Sequence, residues 1–475
     1  MTDLLYRSAR DLLAELAARR ISARELLEAF ATRNDGVHAE LNAVVDTDLE
    51  RASAEAARID EARLRDAPLG ALAGLPMTVK DGFDVAGMPA VCGVPDMVGR
   101  AKDCTDAHVV AAARGAGALV WGKTNVPARL SDFQSYNLVY GTTNNPYDRT
   151  RTPGGSCGGA AAALAAGITP LEIGSDLAGS LRHPASFCGV YALKPTWSTL
   201  SMRGQLSPVL GTYVERDLAV VGPMARTVGD LTLLWDVQHG GRPTTVAPAA
   251  GARVALWLDD PELLVADEVK QVIQDAADAL RGQGITVQVS APPIPVGELL
   301  DTYLALLAPI VMAESPDLVY QQLVAEAERA GGVDDASRYG FGAFARHATA
   351  SYRTVWLAEL ARQEMKNALA DWFADWDAIL APSSPVPPFT HRQEGAIADR
   401  VLEVDGRTEP YLRMVDWIAL ATATHLPALA APVGRTSTGL PVGAQLIGRW
   451  NAEPQLFALA EALERAVGGF SPPTL

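Results

Sequence analysis

Cysteine is scarce in this chain: Cys92, Cys104, Cys157 and Cys188 are the only four in 475 residues, and none forms a CxxC pair. That usage offers neither a disulfide framework nor a zinc ribbon, so reduced thiols in a cytoplasmic protein are expected. Long hydrophobic runs are missing too. The best candidates, Ala160–Ala166 and Leu304–Ala313, fall well short of the ~18 uninterrupted apolar residues a membrane helix needs, so no membrane partner is expected. The opening MTDLLYRSARDLLAELAARR carries acidic residues early and lacks the basic-then-apolar layout of a signal peptide. A formal charge of −16 argues against holding nucleic acid or anionic lipid by bulk electrostatics. The seven histidines show no HExxH and no clustered ligand spacing, so neither a metal nor another cofactor is expected.

What is present is apolar and helix-rich. With 48% hydrophobic and 20% charged residues the chain can bury a large core, and no polar linker divides it. One α/β domain over residues 1–475 is expected, a large mixed sheet flanked by helices on both faces. Residues 1–67 read as N-terminal helices, with Ser22 and Glu25 spaced as a capping box. From 72 to 240, short apolar runs (PMTVK, GALVWG, PLEIGSD, LAVVGPM) alternate with alanine-rich segments, the texture of a buried sheet with helices. A second α/β stretch spans about 253–289. Residues 298–376 read as mostly helical, broken at GVDD and GFGAF, and 377–475 supply DAILAPS, PVGAQLIG and a closing helix, Glu453–Val467.

Two motif matches fail on their own chemistry. Gly117–Thr124, GALVWGKT, fits a phosphate-loop pattern, but a cradle of backbone N–H groups needs small residues, and Ala, Leu, Val and Trp make a buried strand instead. Gly154–Gly158, GGSCG, fits a nucleophile elbow, which needs a later acid and histidine. None of His183, His239, His347, His391 and His425 sits in a segment that looks catalytic.

The informative stretch is Thr152–Thr196, where Ser156 and Ser180 both lie in glycine-dense settings. Tight turns capping an alanine helix would explain either serine alone; the pair points to chain geometry that other residues cannot adopt. A reactive hydroxyl needs a base. Only six of the 40 basic residues are lysines, and lysine, unlike arginine, can be neutral near pH 7 when buried. Lys80 ends the apolar run PMTV and is placed to leave a strand. No SxxK motif is present.

These segments together resemble the amidase signature family, which includes fatty acid amide hydrolase and the amidase subunit of the glutamyl-tRNA amidotransferase. LAGLPMTVKDGFDVAGMPA resembles the family's lysine segment and GALVWGKTNVP the strand and loop after it. Thr152–Thr196 resembles the signature, and VVGPMARTVGDL and LPVGAQLIG two later segments.

The resemblance implies an amide-cleaving hydrolase with a Ser–cis-Ser–Lys triad: Ser180 as nucleophile, Ser156 as relay after a cis Gly155–Ser156 bond, and Lys80 as base. It further implies an oxyanion hole from the N–H groups of Leu177, Ala178, Gly179 and Ser180, a substrate-side carbonyl at Leu130, and an Asp176–Arg182 pair bracing the nucleophile loop. The substrate expected is a small to medium uncharged amide, anilide, carbamate or ester. Leu130, Phe133, Tyr136 and Leu138 could line an apolar pocket, with residues 298–340 as its lid. The amidase-type chain of a tRNA amidotransferase is the alternative, and a homodimer is compatible with the family. Two positions depart from the pattern: Cys157 replaces a second serine that usually bonds the lysine, and Ala178 replaces a glycine.

Overall fold

A computed structural model describes residues 2–99, 105–205, 214–246, 248–330 and 337–475. Cys104 and the GVDD interruption lie outside them. In chain order the strands are β1 (Val44–Thr47), β2 (Pro76–Lys80), β3 (Leu119–Thr124), β4 (Tyr136–Asn137), β5 (Gly141–Thr142), β6 (Leu171–Asp176), β7 (Tyr191–Lys194), β8 (Val220–Ala225), β9 (Arg253–Leu256), β10 (Thr286–Val289), β11 (Ala378–Pro382), β12 (Val401–Val404), β13 (Arg407–Pro410), β14 (Ala428–Arg435) and β15 (Pro441–Gly448).

Eleven of these strands form one mixed sheet in the order β1-β3-β2-β6-β8-β7-β14-β15-β11-β9-β10, and β4–β5 and β12–β13 make two small hairpins. β3, β2 and β6 run parallel, whereas β6, β8, β7, β14, β15 and β11 are antiparallel in turn. Every residue of β2, β3, β6, β8 and β15 is buried. Helices cover both faces, which is why these strands read as unbroken apolar runs rather than as alternation. GALVWGKT enters the sheet as β3, a buried strand and not a phosphate loop.

The helices follow the sequence reading except at GFGAF, which is no interruption: Gly340 caps the helix Phe341–Ala348 and the remaining four residues form its first turn. Ser22 and Glu25 form the full capping box of the helix Ala23–Leu41, and the closing helix spans Glu453–Val467. The segment after 296 is helical at Val296–Met312, Asp317–Ala330, Phe341–Ala348 and Tyr352–Trp372. None of the described helices is long and apolar enough to cross a membrane. Cys92, Cys157 and Cys188 are buried.

One buried cation fastens the N-terminal helices to the sheet. Arg226, just past the end of β8, is fully buried and donates to the carbonyls of Leu164 and Thr169 at 3.1 and 2.5 Å, and to those of Leu5 and Arg7 at 3.1 and 2.9 Å. Asp230 completes the joint by accepting from the N–H groups of Ala9 and Arg10 at 2.8 and 3.0 Å. Replacing Arg226 with Ala would remove four charge-assisted bonds from a buried joint, at a cost of about 3 kcal/mol or more. We expect Arg226→Ala to lower the apparent melting temperature by several degrees, while Arg65→Ala, on a surface helix end, leaves it unchanged.

Candidate active site

The site gathers at the ends of β2 and β6. Parallel pairing of Thr78 with Glu172 and Val79 with Ile173 carries Lys80 to the level of Gly174 and Ser175. Lys80 is completely buried. Its Nζ donates to Ser156 Oγ at 2.8 Å, to Ser175 Oγ at 3.0 Å and to the Ser175 carbonyl at 3.3 Å. The neighbouring acid, Asp81, is engaged elsewhere: Lys123 Nζ lies 3.4 Å from it, and it accepts from the Val91 N–H at 3.0 Å. Lys80 is therefore met by hydroxyls, a carbonyl and the Cys157 thiol.

Ser156 follows a cis Gly155–Ser156 peptide. Gly155 is fixed by close approach, because a Cβ there would sit 2.4 Å from the Asp132 carbonyl oxygen and 2.5 Å from the Gln134 nitrogen. The Ser135 hydroxyl ties this loop down, donating to the Gly154 carbonyl at 3.1 Å and accepting from the Gly158 N–H at 3.0 Å. The helix Gly158–Ala165 then leaves the loop.

Ser180 lies on the turn between β6 and the helix Arg182–Cys188 and is almost wholly buried. The Cys157 N–H donates to its carbonyl at 3.2 Å, joining the two serine loops. Asp176 braces the turn from within: its carboxylate accepts from the N–H groups of Gly179 and Leu181 at 2.9 and 3.1 Å and from Arg182 Nη2 and Nε, both at 3.0 Å. Burial opposes its charge, but the Arg182 guanidinium and these bonds outweigh burial and hold the acid well below the usual carboxylate range.

Two of the anticipated positions differ in detail. The Gly179 N–H, anticipated as an oxyanion donor, is bonded to Asp176. Those of Leu177, Ala178 and Ser180 donate to no acceptor among the described residues. Gly179 has φ +88°, and a Cβ there would lie 2.3 Å from His183 Nε2. Ala178 stays outside the left-handed region, so its methyl group fits without backbone strain.

Cys157 stands beside Lys80 in the position of the usual serine. Burial raises its thiol, with Lys80 pulling the other way, and Sγ donates to the Ser175 carbonyl at 3.3 Å. Ser175 supplies two further Lys80 contacts, and Gln205 Nε2 reaches its Oγ at 3.3 Å. Sequence reasoning passed over Ser175; the only signal was a hydroxyl immediately before Asp176.

Leu130 ends a single turn in which Arg129 and Leu130 both have left-handed backbone (φ +57° and +61°). Its carbonyl accepts no bond among the described residues. The apolar pocket expected from the following residues is not built as anticipated. Leu138 is 94% exposed on the β4–β5 hairpin. Phe133 packs inside against His183 and Tyr411, and Tyr136 donates to Asp132 at 3.0 Å. The later helical segment does reach the site: Tyr303, fully buried, donates to the Leu177 carbonyl at 3.2 Å.

This arrangement has counterparts among known proteins. The amidase family model matches residues 25–457. The chain belongs to the amidase family. It is an amidase-signature hydrolase acting on carbon–nitrogen bonds. A Mycobacterium bovis protein named as the putative amidase AmiB2 is 33% identical over 481 residues, covering 98% of this chain and 97% of that protein. A glutamyl-tRNA(Gln) amidotransferase subunit of Synechococcus sp. (strain CC9605) is 32% identical over 489 residues, 96% of each. Among solved structures, a chain from a vestigial protein complex that reveals the evolutionary origins of an s-triazine catabolic enzyme superposes with TM-score 0.81 at 27% identity, covering 99% of this chain and 100% of that one.

The Asp176–Arg182 pair yields a pH-resolved prediction. A carboxylate held below its ordinary range stabilises the fold fully above the unfolded value of about 4, and that contribution is lost only as pH falls below it. Asp176→Asn should therefore cost roughly 3–5 kcal/mol, evenly from about pH 6 to 8. Thermal melts of the two proteins should converge only in acid.

Proposed function

We propose that this amidase hydrolyses small to medium uncharged amides, with anilides, carbamates and esters as related substrates, through an acyl-enzyme on Ser180. The observation that carries the reading is the buried Lys80 Nζ, 2.8 Å from Ser156 Oγ and without a carboxylate partner among the described residues.

In this mechanism the Lys80 amine takes a proton from Ser156, which takes the Ser180 proton as that oxygen attacks the carbonyl carbon. The oxyanion that develops accepts from the open N–H groups of Leu177, Ala178 and Ser180. The proton returns along the same hydroxyls to the leaving nitrogen, which departs as a neutral amine. Water then attacks the ester by the reverse route. Leu130 contributes its free carbonyl as an acceptor for a substrate N–H, and Ser175 orients Lys80. The preference for uncharged substrates rests on the surroundings of the loop, where the buried Tyr303 and Phe133 bring no charge and Arg182 is already neutralised by Asp176.

A second reading, the amidase-type chain of a tRNA amidotransferase, is favoured by relatives named as parts of that enzyme at 29–32% identity over nearly the whole chain. Glutamine in the substrate panel separates the two. A marked preference for glutamine over aryl and aliphatic amides would favour the amidotransferase reading.

The nucleophile can be tested without choosing a substrate. A fluorophosphonate probe should label Ser180, by peptide mass spectrometry, and Ser180→Ala should abolish labelling; an adduct on Ser156 would overturn the assignment. For the base, Lys80→Ala should lower kcat/KM by about 10²–10⁴-fold at neutral pH. The deficit should shrink near pH 10, where hydroxide substitutes for the amine. An equal loss across the range would make Lys80 structural.

A further inference from the structure

A cavity of about 450 Å³ opens between the helix Tyr352–Trp372 and the end of β15. It shares no lining residue with the site around Ser180: Lys80, Ser156, Ser175 and the nucleophile turn are all absent from its wall. Lys366 and Leu369, one turn apart, line it from the helix, and Phe373 from just past the helix end. Leu369 and Phe373, with Leu426 from ahead of β14, are buried and make an apolar floor. Arg449 and Trp450, directly after β15, form the rim, where Trp450 is 47% exposed.

In a chain of formal charge −16, this wall carries two cations and no acid. Lys366 forms no ion pair among the described residues; its Nζ lies 3.1 Å from His425 Nδ1 and 5.3 Å from the centre of the Trp450 ring. His425 is itself fixed, by stacking on Trp197 at 4.6 Å and by Asp217 Oδ1, 2.6 Å from its Nε2. Arg362 Nη1 lies 3.0 Å from that same nitrogen and bonds Asp217 Oδ2 at 2.7 Å. Burial, with Arg362 and Lys366 adding to it, outweighs Asp217 and holds the imidazole down at about 4, so the ring is neutral at pH 7. With its proton on Nε2 it donates to Asp217, and Nδ1 accepts from the Lys366 ammonium. Two of the three lysine N–H donors then remain open. The acids that bear on Lys366, Asp217 and Glu359, both pair with Arg362. The Arg449 guanidinium is exposed and has neither ion pair nor hydrogen bond among the described residues.

We propose that this cavity is a second binding site, for a small aromatic carboxylate whose ring lies on Trp450 above the apolar floor and whose carboxylate accepts from Lys366 and Arg449. An indole beside buried leucine and phenylalanine favours a flat apolar body. Two cations without counter-ions favour an anion, and the guanidinium fork matches a carboxylate in shape. The volume is within the range of small-molecule sites. Acids released from aryl amides belong to this class of ligand, whereas the uncharged amides do not; the site itself does not rest on that reading of the reaction.

Isothermal titration calorimetry with 2-naphthoate at low ionic strength tests the site. The wild-type protein should bind it with a Kd at or below about 1 mM. Lys366→Met should weaken binding at least about tenfold, and Arg449→Met, at an exposed position, at least about threefold. The uncharged 2-acetylnaphthalene, with the same rings, should bind at least about tenfold more weakly than the acid. No binding of 2-naphthoate up to about 10 mM would overturn the proposal. Affinity unchanged in both variants would place the ligand elsewhere, the Ser180 site included, and overturn it as well. Equal affinity for the ketone, weakened alike by the two substitutions, would leave an apolar pocket without preference for anions, which is the third overturning result. No turnover is measured, so failure here is distinct from failure of the assigned reaction.

Discussion

The buried guanidinium of Arg182 is the joint on which the site depends. Besides Asp176 it donates to the Ile418 carbonyl at 3.1 Å, to Gln445 Oε1 at 3.2 Å and to Thr422 Oγ1 at 2.7 Å. Gln445 on β15 passes the connection on, donating to the carbonyls of Pro382 and Trp417 at 2.9 and 2.7 Å. One side chain therefore fixes the turn carrying Ser180 against two segments more than 200 residues away. Pairing a buried charge is only worthwhile when every donor is satisfied. Here the Nε, Nη1 and Nη2 donors all have partners, so the turn is held by a network and not by loop packing alone.

The same region separates its charges with care. Asp81 is matched by Lys123, and Asp176 by Arg182. Lys80, between them in the sheet, meets hydroxyl and carbonyl oxygens. A cation in a low-dielectric interior is stabilised most by an opposite charge and least by neutral dipoles. Asp81 and Asp176 thus spend their charge on other cations and not on Lys80. Cys157 fits this scheme, since a neutral thiol donating to the Ser175 carbonyl adds no charge beside Lys80.

Much of this was legible in the sequence where the signal is local. The capping box at Ser22 and Glu25, the closing helix and the buried strands PMTVK, LVWGKT and LEIGSD all follow from short-range patterns. The strand ALAAPVGR, β14, did not stand out. Alanine is a poor strand former and β14 is buried over most of its length, so neither propensity nor alternation marks it; its neighbours β7 and β15 impose the conformation. Ser175 was missed for a related reason. Its hydroxyl meets Lys80 only because β2 pairs with β6 from far along the chain, which no short window of sequence can see. Leu138 looked like a pocket residue because it is apolar, yet its place on a hairpin of two very short strands leaves it in solvent.

The segments packed around the nucleophile turn are the least readable, and the structure shows why. Tyr303 touches the nucleophile turn through a backbone carbonyl, and Leu130 offers a backbone carbonyl of its own. The Leu130 loop is in turn anchored through Asp132, which accepts from Tyr411 Oη and Arg400 Nη1, both at 2.6 Å. Arg400 and Tyr411 lie more than 260 residues downstream. Backbone contacts place no demand on side-chain identity, and anchors this remote leave no spacing pattern. Anchors of this kind fix the loops beside the nucleophile turn from afar, even though the proposed chemistry is written in Thr152–Thr196 and Lys80.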